Sequence, residues 1–126
     1  GEAVLTGTNA VEVLSAARLS KEQTRARNKE TLLEIINSTE LSDAQKQEAV
    51  DSMVHMTEIA EKEAAAEVLL QAKGFSEAVV SINGDAVDVV VNAAELSDVQ
   101  RAQIEDIVKR KTDIAAENIV ISTITQ

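Results

Sequence analysis

The sequence predicts an α+β domain in which two helices lie on one face of a three-stranded sheet, preceded by an extra N-terminal helix. Asn83-Gly84 separates two runs of β-favouring residues, which is the strongest short-range signal for a β-hairpin. Long helical periodicity precedes this hairpin, and a helix and a third strand follow it. The chain contains no proline, and this favours helices without interruption. We therefore expect the element order α-α-β-β-α-β.

Composition excludes several classes of function. The net charge of −10 argues against general binding to nucleic acid or to anionic lipid. The chain has no cysteine, so disulfides and thiolate metal sites are excluded. No apolar run reaches the ~20 residues of a membrane-spanning helix, and no signal peptide is visible. Because the chain begins with Gly1 rather than Met, we expect a fragment whose membrane anchor, if it has one, lies upstream.

Three segments share the pattern Leu-Ser-x-x-Gln, in which a serine precedes a glutamine by three residues. This is the spacing of a helix capping box, so we predict helix starts immediately after Ser20, Ser42 and Ser97. The predicted helices span residues 21–37, 43–73 and 98–112. We attribute the shared pattern to convergent capping rather than to an internal duplication. Residues 1–19 are predicted to be a linker or N-terminal extension, and residues 20–126 the domain.

The hairpin and the last strand are predicted from alternation. A turn centred on Asn83-Gly84 would place Val80 opposite Val87. Four side chains then share the core face of the sheet: Ala78, Val80, Val87 and Val89. Val79 and Val90 would lie on the opposite face, either as a contact surface or as ordinary exposed valines. The third strand is predicted over residues 119–124, and its neighbour in the sheet is left open.

The first half of the first helix is basic and has little to bury. Residues 18–30 carry five basic and two acidic side chains, and residues 21–31 offer only Ala26 as an apolar contact. Such a segment either projects into solvent or is covered by another protein. An acidic protein partner is favoured over nucleic acid, because no aromatic residue is present for base stacking.

No catalytic, cofactor or metal site is predicted. His55 is the single histidine, and with Asp51 and Glu58 it provides too few ligands for a structural zinc site. Asp85 and Asp88 lie near the hairpin turn without the spacing of a calcium-binding EF-hand loop. Glycine-rich phosphate loops and nucleophile elbows are absent from the sequence. We therefore predict that the protein is not an enzyme.

Four segments in order resemble the extracytoplasmic domain of the stage III sporulation protein AH family of endospore-forming bacteria. They are KEQTRARNKETLLEIIN, LSDAQKQEAVDSMVHMTEIAEKEAAAEVLLQAKGF, EAVVSINGDAVDVVV and LSDVQRAQIEDIVKRKT, which together cover most of the chain. The resemblance implies a ring-building-motif-like α-β-β-α-β module, similar to that of the YscJ, PrgK and FliF families. It implies no catalytic residue and no cofactor.

The resemblance also implies a place and partners. The domain would face the space between the two membranes around the forespore, attached to the mother-cell-derived outer forespore membrane by an anchor upstream. There it would bind the extracellular LytM-like domain of stage II sporulation protein Q and join other proteins of the stage III sporulation A operon. Together these proteins would form a channel, in which copies of the domain would be arranged as a homo-oligomeric ring.

The family pattern does not supply interface residues, so these are chosen on physical grounds. Partner contact is expected from the basic half of the first helix and from an unpaired strand edge: Arg25, Arg27, Lys29, Ile119, Val120, Ile121, Ser122 and Thr123. Self-assembly is expected through Val79 and Val90, although like charge should keep the isolated domain monomeric. The alternative function is a small-ligand-binding or regulatory module of an exported enzyme complex, which would need a polar cleft.

Overall fold

The computed structural model describes residues 8–75 and 77–124. Its elements in chain order are helix α1 (Thr8–Asn37), helix α2 (Asp43–Ala72), strand β1 (Val79–Asn83), strand β2 (Ala86–Asn92), helix α3 (Asp98–Thr112), a 3-10 turn (Ala116–Asn118) and strand β3 (Ile119–Ile124). β2 is the central strand, antiparallel to β1 and parallel to β3. The predicted α+β class is confirmed, and the strand order that the sequence left open is β1-β2-β3.

Two of the three predicted helix starts are confirmed. The amide of Gln45 donates to Ser42 Oγ at 3.2 Å, and the amide of Gln100 donates to Ser97 Oγ at 3.1 Å. In both cases the glutamine side chain accepts from the serine amide, which completes the capping box. These local signals were sufficient because each serine follows a non-helical segment.

The predicted helix start after Ser20 is wrong. α1 begins at Thr8 and continues through Ser20, so this serine lies within the helix. Leu14 is only 2% exposed, and burial of this side chain stabilises the helical turns that precede Ser20. The helical part of residues 1–19 is thus at least 8–19. The division of the chain at residue 20 into an extension and a domain stays a prediction, and residues 1–7 lie outside the described residues.

The predicted hairpin is confirmed, but its predicted register is wrong. Val80 pairs with Val89 and Asn83 pairs with Ala86, so Gly84 and Asp85 form the turn. Gly84 occupies the first central position of this turn and has a φ of 60°. Type II′ turns favour glycine at that position. The pairing differs from the prediction by two positions. Because side chains alternate with a period of two, the predicted core face is unchanged.

The core lies between the sheet and the helices α2 and α3. Its buried members are Ala66, Leu70, Phe75, Ala78, Val80, Val87, Val89, Val91, Ile104, Ile107 and Val108. α2 ends as predicted, because Gly74 has a φ of 98° and the amide of Phe75 donates to the carbonyl of Leu70 at 2.9 Å. Phe75 thereby enters the core directly after the helix.

The apolar positions of α2 differ in exposure. Val50, Val54 and Val68 follow helical spacing, but they retain 36%, 52% and 65% exposure. The inward face follows residues 56, 59, 63, 66 and 70, which alternate steps of three and four. Of the helices in the part of the chain that the structure describes, none has the length and apolar character needed to cross a bilayer.

Candidate functional site

Two glutamates of α2 bind the amides on the outer edge of β1. The amide of Ile82 donates to Glu63 Oε2 at 2.7 Å, and the amide of Val80 donates to Glu67 Oε2 at 2.8 Å. Both amides point away from β2 and would otherwise be free to pair with another strand. The two carboxylates therefore occupy positions that a fourth strand would take.

Basic side chains of α1 bind the carbonyls along the same edge. Lys21 Nζ donates to the carbonyl of Val80 at 2.9 Å, and Arg18 Nη2 donates to the carbonyl of Ala78. Arg25 completes the set by binding Glu63. We call these five residues the edge cluster: Arg18, Lys21, Arg25, Glu63 and Glu67. Side chains thus bind two amides and two carbonyls along this edge.

Glu63 is the centre of the edge cluster. Its side chain is 2% exposed, and Oε1 lies 2.7 Å from Arg25 Nη1 and 3.0 Å from Lys21 Nζ. Burial acts to raise the pKa of Glu63, but the hydrogen bonds from Arg25, the amide of Ile82 and Lys21 outweigh it, so its pKa is lowered. In turn the hydrogen bond to Glu63 raises the pKa of Arg25. The cluster therefore holds a buried, ionised carboxylate.

Helical spacing explains how these residues meet. On α1, residues 14, 18, 21 and 25 recur at steps of three and four, so one face carries Leu14 and then three cations. On α2, Glu63 occupies a position of the inward stripe between Ile59 and Ala66. Two features of the sequence together indicate the edge cluster. One is an acidic residue in an otherwise apolar stripe, and the other is a set of cations at helical spacing in the preceding helix. The sequence-based prediction missed this combination.

The structure separates the three predicted basic contact residues. Arg25 belongs to the edge cluster and is 28% exposed. Arg27 and Lys29 are exposed, and Arg27 Nη2 makes a long contact of 3.4 Å to Thr24 Oγ1 within α1. The basic half of α1 is therefore held by this domain on one face, and only the other face is free for a partner.

The predicted contact strand is an edge strand of the sheet. β3 pairs with β2 on one side, and its Val120 side chain is 53% exposed. The register places Ile119 opposite Val87 and Ile121 opposite Val89, and both isoleucines pack against the core. Ser122 is exposed and Thr123 is half-buried.

The two parts of the predicted contact surface do not meet at one place. α1 supplies side chains to the outer edge of β1, whereas β3 lies beyond β2, about 10 Å across the sheet at the usual strand spacing. Arg27 and Lys29 therefore lie on the side of the sheet opposite to the β3 edge. A partner that contacts both must extend around the domain.

The predicted self-assembly residues are less available than expected. Val79 pairs with Val90 across the hairpin, but Val79 is only 4% exposed and Val90 is half-buried. The expectation that Val79 lies on an uncovered face is wrong, since this side chain is buried. A role for either valine in self-assembly stays a prediction.

The residues considered for metal binding are dispersed. His55, Asp85 and Asp88 are all exposed, and within residues 8–75 and 77–124 no three His, Asp or Glu side chains come close enough together to hold a metal ion. The groove beside the edge cluster is open to solvent, and its lining combines apolar side chains such as Met56 and Ala60 with charged ones such as Lys29 and Glu61.

Comparison with known proteins decides the family of this domain. A family model described as SpoIIIAH-like protein matches residues 2–121. The chain belongs to the SpoIIIAH-like family. Stage III sporulation protein AH of Bacillus subtilis (strain 168) is 28% identical over 108 residues, which is 86% of this chain and 50% of that protein. The chain thus spans half the length of this curated relative, and the resemblance seen in the sequence is confirmed.

Two solved structures share the fold of this SpoIIIAH-like domain. A chain of the SpoIIQ-SpoIIIAH pore forming complex superposes with a TM-score of 0.81 and 24% identity, covering 90% of this chain and 98% of that chain. The type III secretion system protein EscJ of enteropathogenic E. coli superposes with a TM-score of 0.53 and 23% identity, covering 71% of this chain and 62% of EscJ. The predicted ring-building-motif-like fold is therefore confirmed.

Proposed function

We propose that this SpoIIIAH-like domain is a structural, non-enzymatic component of a sporulation channel. It binds the extracellular LytM-like domain of a SpoIIQ protein in the space between the mother-cell and forespore membranes. An anchor upstream of this segment attaches it to the mother-cell-derived outer forespore membrane, and copies of the domain assemble into a ring. Other proteins of the stage III sporulation A operon are expected in the same assembly.

One observation carries this proposal. The fold matches, over 90% of this chain, a chain from the structure of the SpoIIQ-SpoIIIAH pore forming complex. Family membership over residues 2–121 supports the same assignment independently of the coordinates. The similarity to EscJ, a type III secretion system protein, supports the assembly of copies into a larger structure.

The β3 edge is the proposed site for the SpoIIQ partner. Strand addition supplies regular backbone hydrogen bonds, and β3 is an outer strand whose neighbour is β2 alone. The exposed cations Arg27 and Lys29 supply a second, electrostatic contact that favours encounter with an acidic surface. Arg25 contributes indirectly, because it holds α1 in place through Glu63.

The strand contact is tested with proline at two adjacent positions, Val120→Pro and Ile121→Pro. Neighbouring amides in a strand point to opposite sides, so one proline removes a bond to β2 and the other removes only an outer donor. Urea denaturation identifies the variant that keeps normal stability. We expect that variant to lose capture of the purified SpoIIQ extracellular domain by at least tenfold. Unchanged capture would exclude β3 as the contact.

The electrostatic contact is tested separately with the double variant R27E/K29E. Both residues are exposed, so the fold should be unaffected, and association with SpoIIQ should slow and lose its dependence on salt. E22K, a charge reversal of an exposed acidic residue on the same helix, is the control. If R27E/K29E and the wild type associate at the same rate, α1 is not part of the interface.

A further inference from the structure

The side of α2 that points away from the core carries exposed valines. Glu63, Ala66 and Leu70 on the inward side are buried, whereas Val54 and Val68 are 52% and 65% exposed. At 3.6 residues per turn, both valines lie on the side of the helix opposite to Glu63. Apolar side chains that recur along one exposed side of a helix are typical of a contact surface.

The residues on this side of α2 are spaced symmetrically about Glu61. They are all exposed, and we call them the α2 face: Val50, Val54, Thr57, Ala65, Val68 and Ala72. The first three precede Glu61 by 11, 7 and 4 positions, and the last three follow it by 4, 7 and 11 positions. If two copies of α2 pack antiparallel with Glu61 at the two-fold axis, Val54 of each copy therefore lies opposite Val68 of the other.

The charges along one side of the α2 face follow the same symmetry. Asp51 and Glu58 flank its first half, and Lys62 and Lys73 flank its second half. Lys62 Nζ lies 4.0 Å from Asp113 Oδ2, at the limit of ion-pair distance, and its side chain is 43% exposed. An antiparallel pair places the acidic half of each copy beside the basic half of the other. The net charge of −10 is therefore not a like-charge barrier along this flank.

We propose that the α2 face binds the α2 face of a second copy in an antiparallel, two-fold symmetric pair. Such an isologous contact is satisfied by two copies, so it differs from the contact that would generate a ring. The α2 face contains no residue of β3 and none of α1. α1 therefore stays in place on β1, and the SpoIIQ contact proposed above uses different residues. The inference goes beyond the proposed function and requires neither SpoIIQ nor a ring.

Glu61 is the exception to this complementarity. Because it lies at the two-fold axis, it faces Glu61 of the second copy, and the two carboxylates repel each other. Glu58 has the opposite effect, since it lies near Lys62 of the second copy. The pair is therefore weak in the wild type, and single substitutions at these two positions should change its stability in opposite directions.

The first test compares E61Q with E58Q. Each variant removes one negative charge from an exposed position of the same helix, so a general loss of repulsion would affect both equally. Sedimentation equilibrium over a range of concentrations measures the association constant. We expect an increase of about fivefold for E61Q and a decrease of about threefold for E58Q. An E61Q variant that stays monomeric overturns the proposal, as does an equal increase for both variants.

The apolar contact is tested in the E61Q background. Adding V68S should reverse the increase in association, because Val68 contacts the second copy at two symmetric places. The control is V99S, since Val99 is 69% exposed but belongs to α3. Circular dichroism verifies that each variant is folded. Equal association constants for the V68S and V99S variants would show that the α2 face is not the contact.

The antiparallel arrangement is tested by cross-linking, because the chain contains no cysteine and a single substitution introduces a unique thiol. We expect Val54→Cys and Val68→Cys, when mixed, to be joined to each other by a short thiol-reactive cross-linker, and neither to be joined efficiently to itself. Val99→Cys mixed with Val68→Cys is the control. Preferential linking of Val54→Cys to itself would indicate a parallel pair and contradict the proposal. Capture of SpoIIQ by the wild type is unaffected by any of these results.

Discussion

The amide of Ile82 donates to the carboxylate of Glu63 at 2.7 Å, which links an edge strand to a helix 19 residues earlier in the chain. The same carboxylate also forms ion pairs with Arg25 and Lys21 on α1. A buried charge is tolerated only when its partners are all present, so this one side chain ties together three elements. It also explains why cations lie on a face of α1 that sequence reasoning assigned to a partner.

Glu63→Ala should destabilise the domain by about 3 kcal/mol, because Arg25 and the amide of Ile82 lose their acceptor and Lys21 keeps only the carbonyl of Val80 and the more distant Glu67. Urea denaturation measures the free energy of unfolding. Glu61→Ala is the control, since residue 61 is exposed on the neighbouring face of the same helix. Equal stability of the two variants would contradict the central role of Glu63.

Stability should depend on pH through Glu63. The pKa of Glu63 is lowered in the folded state from the ordinary value of 4.5. The ionised side chain therefore contributes to the free energy of unfolding above that pH, and this contribution is lost as the pH falls through the folded pKa. The charged groups that face Glu63 are Arg25 and Lys21 on α1, with Glu67 beside Lys21 on α2. The difference in unfolding free energy between the wild type and Glu63→Gln should therefore shrink between pH 7 and pH 3. A difference that grows on acidification would show that Glu63 is not held ionised.

The three serines of the shared pattern should respond differently to alanine. Ser42→Ala and Ser97→Ala each remove a side chain that caps a helix, which should cost about 1 kcal/mol. Ser20→Ala should leave the unfolding free energy nearly unchanged, because Ser20 lies inside α1 and is exposed. Thermal unfolding of the three variants measures these effects. A loss at Ser20 equal to that at Ser42 would indicate a helix boundary there.

Gly84→Ala should destabilise the hairpin by about 1 kcal/mol. Gly84 has a φ of 60°, which an L-residue adopts at a cost, although an added Cβ would meet no atom within 4 Å. The penalty is therefore conformational and not steric. Asp85→Ala, at the next position of the turn and without a positive φ, should have a smaller effect on urea denaturation. A larger effect at Asp85 would mean that the turn is stabilised by its side chain.

Local chemistry in the sequence was enough to predict most of the fold. The capping boxes at Ser42 and Ser97, the Gly74 stop and the alternation of the strands each depend on residues within a few positions of one another. The face of the sheet on which each hairpin side chain lies was also predictable. Side chains alternate between the two faces, so an error of two positions in the pairing leaves each one on the same face. The family resemblance rested on the same local segments.

Contacts between distant segments were decided only by the tertiary structure. Leu14, in the part of α1 that precedes Ser20, is buried, and the closure of β1 depends on cations, carboxylates and backbone groups that lie up to 60 residues apart. The residues next to a charged side chain in a helix can be the same whether that side chain faces solvent, a partner or an edge strand. Only the packing of α1 beside β1 therefore distinguishes these environments. Sequence therefore specified the elements and their inward faces, while the three-dimensional arrangement decided which edge of the sheet remains open.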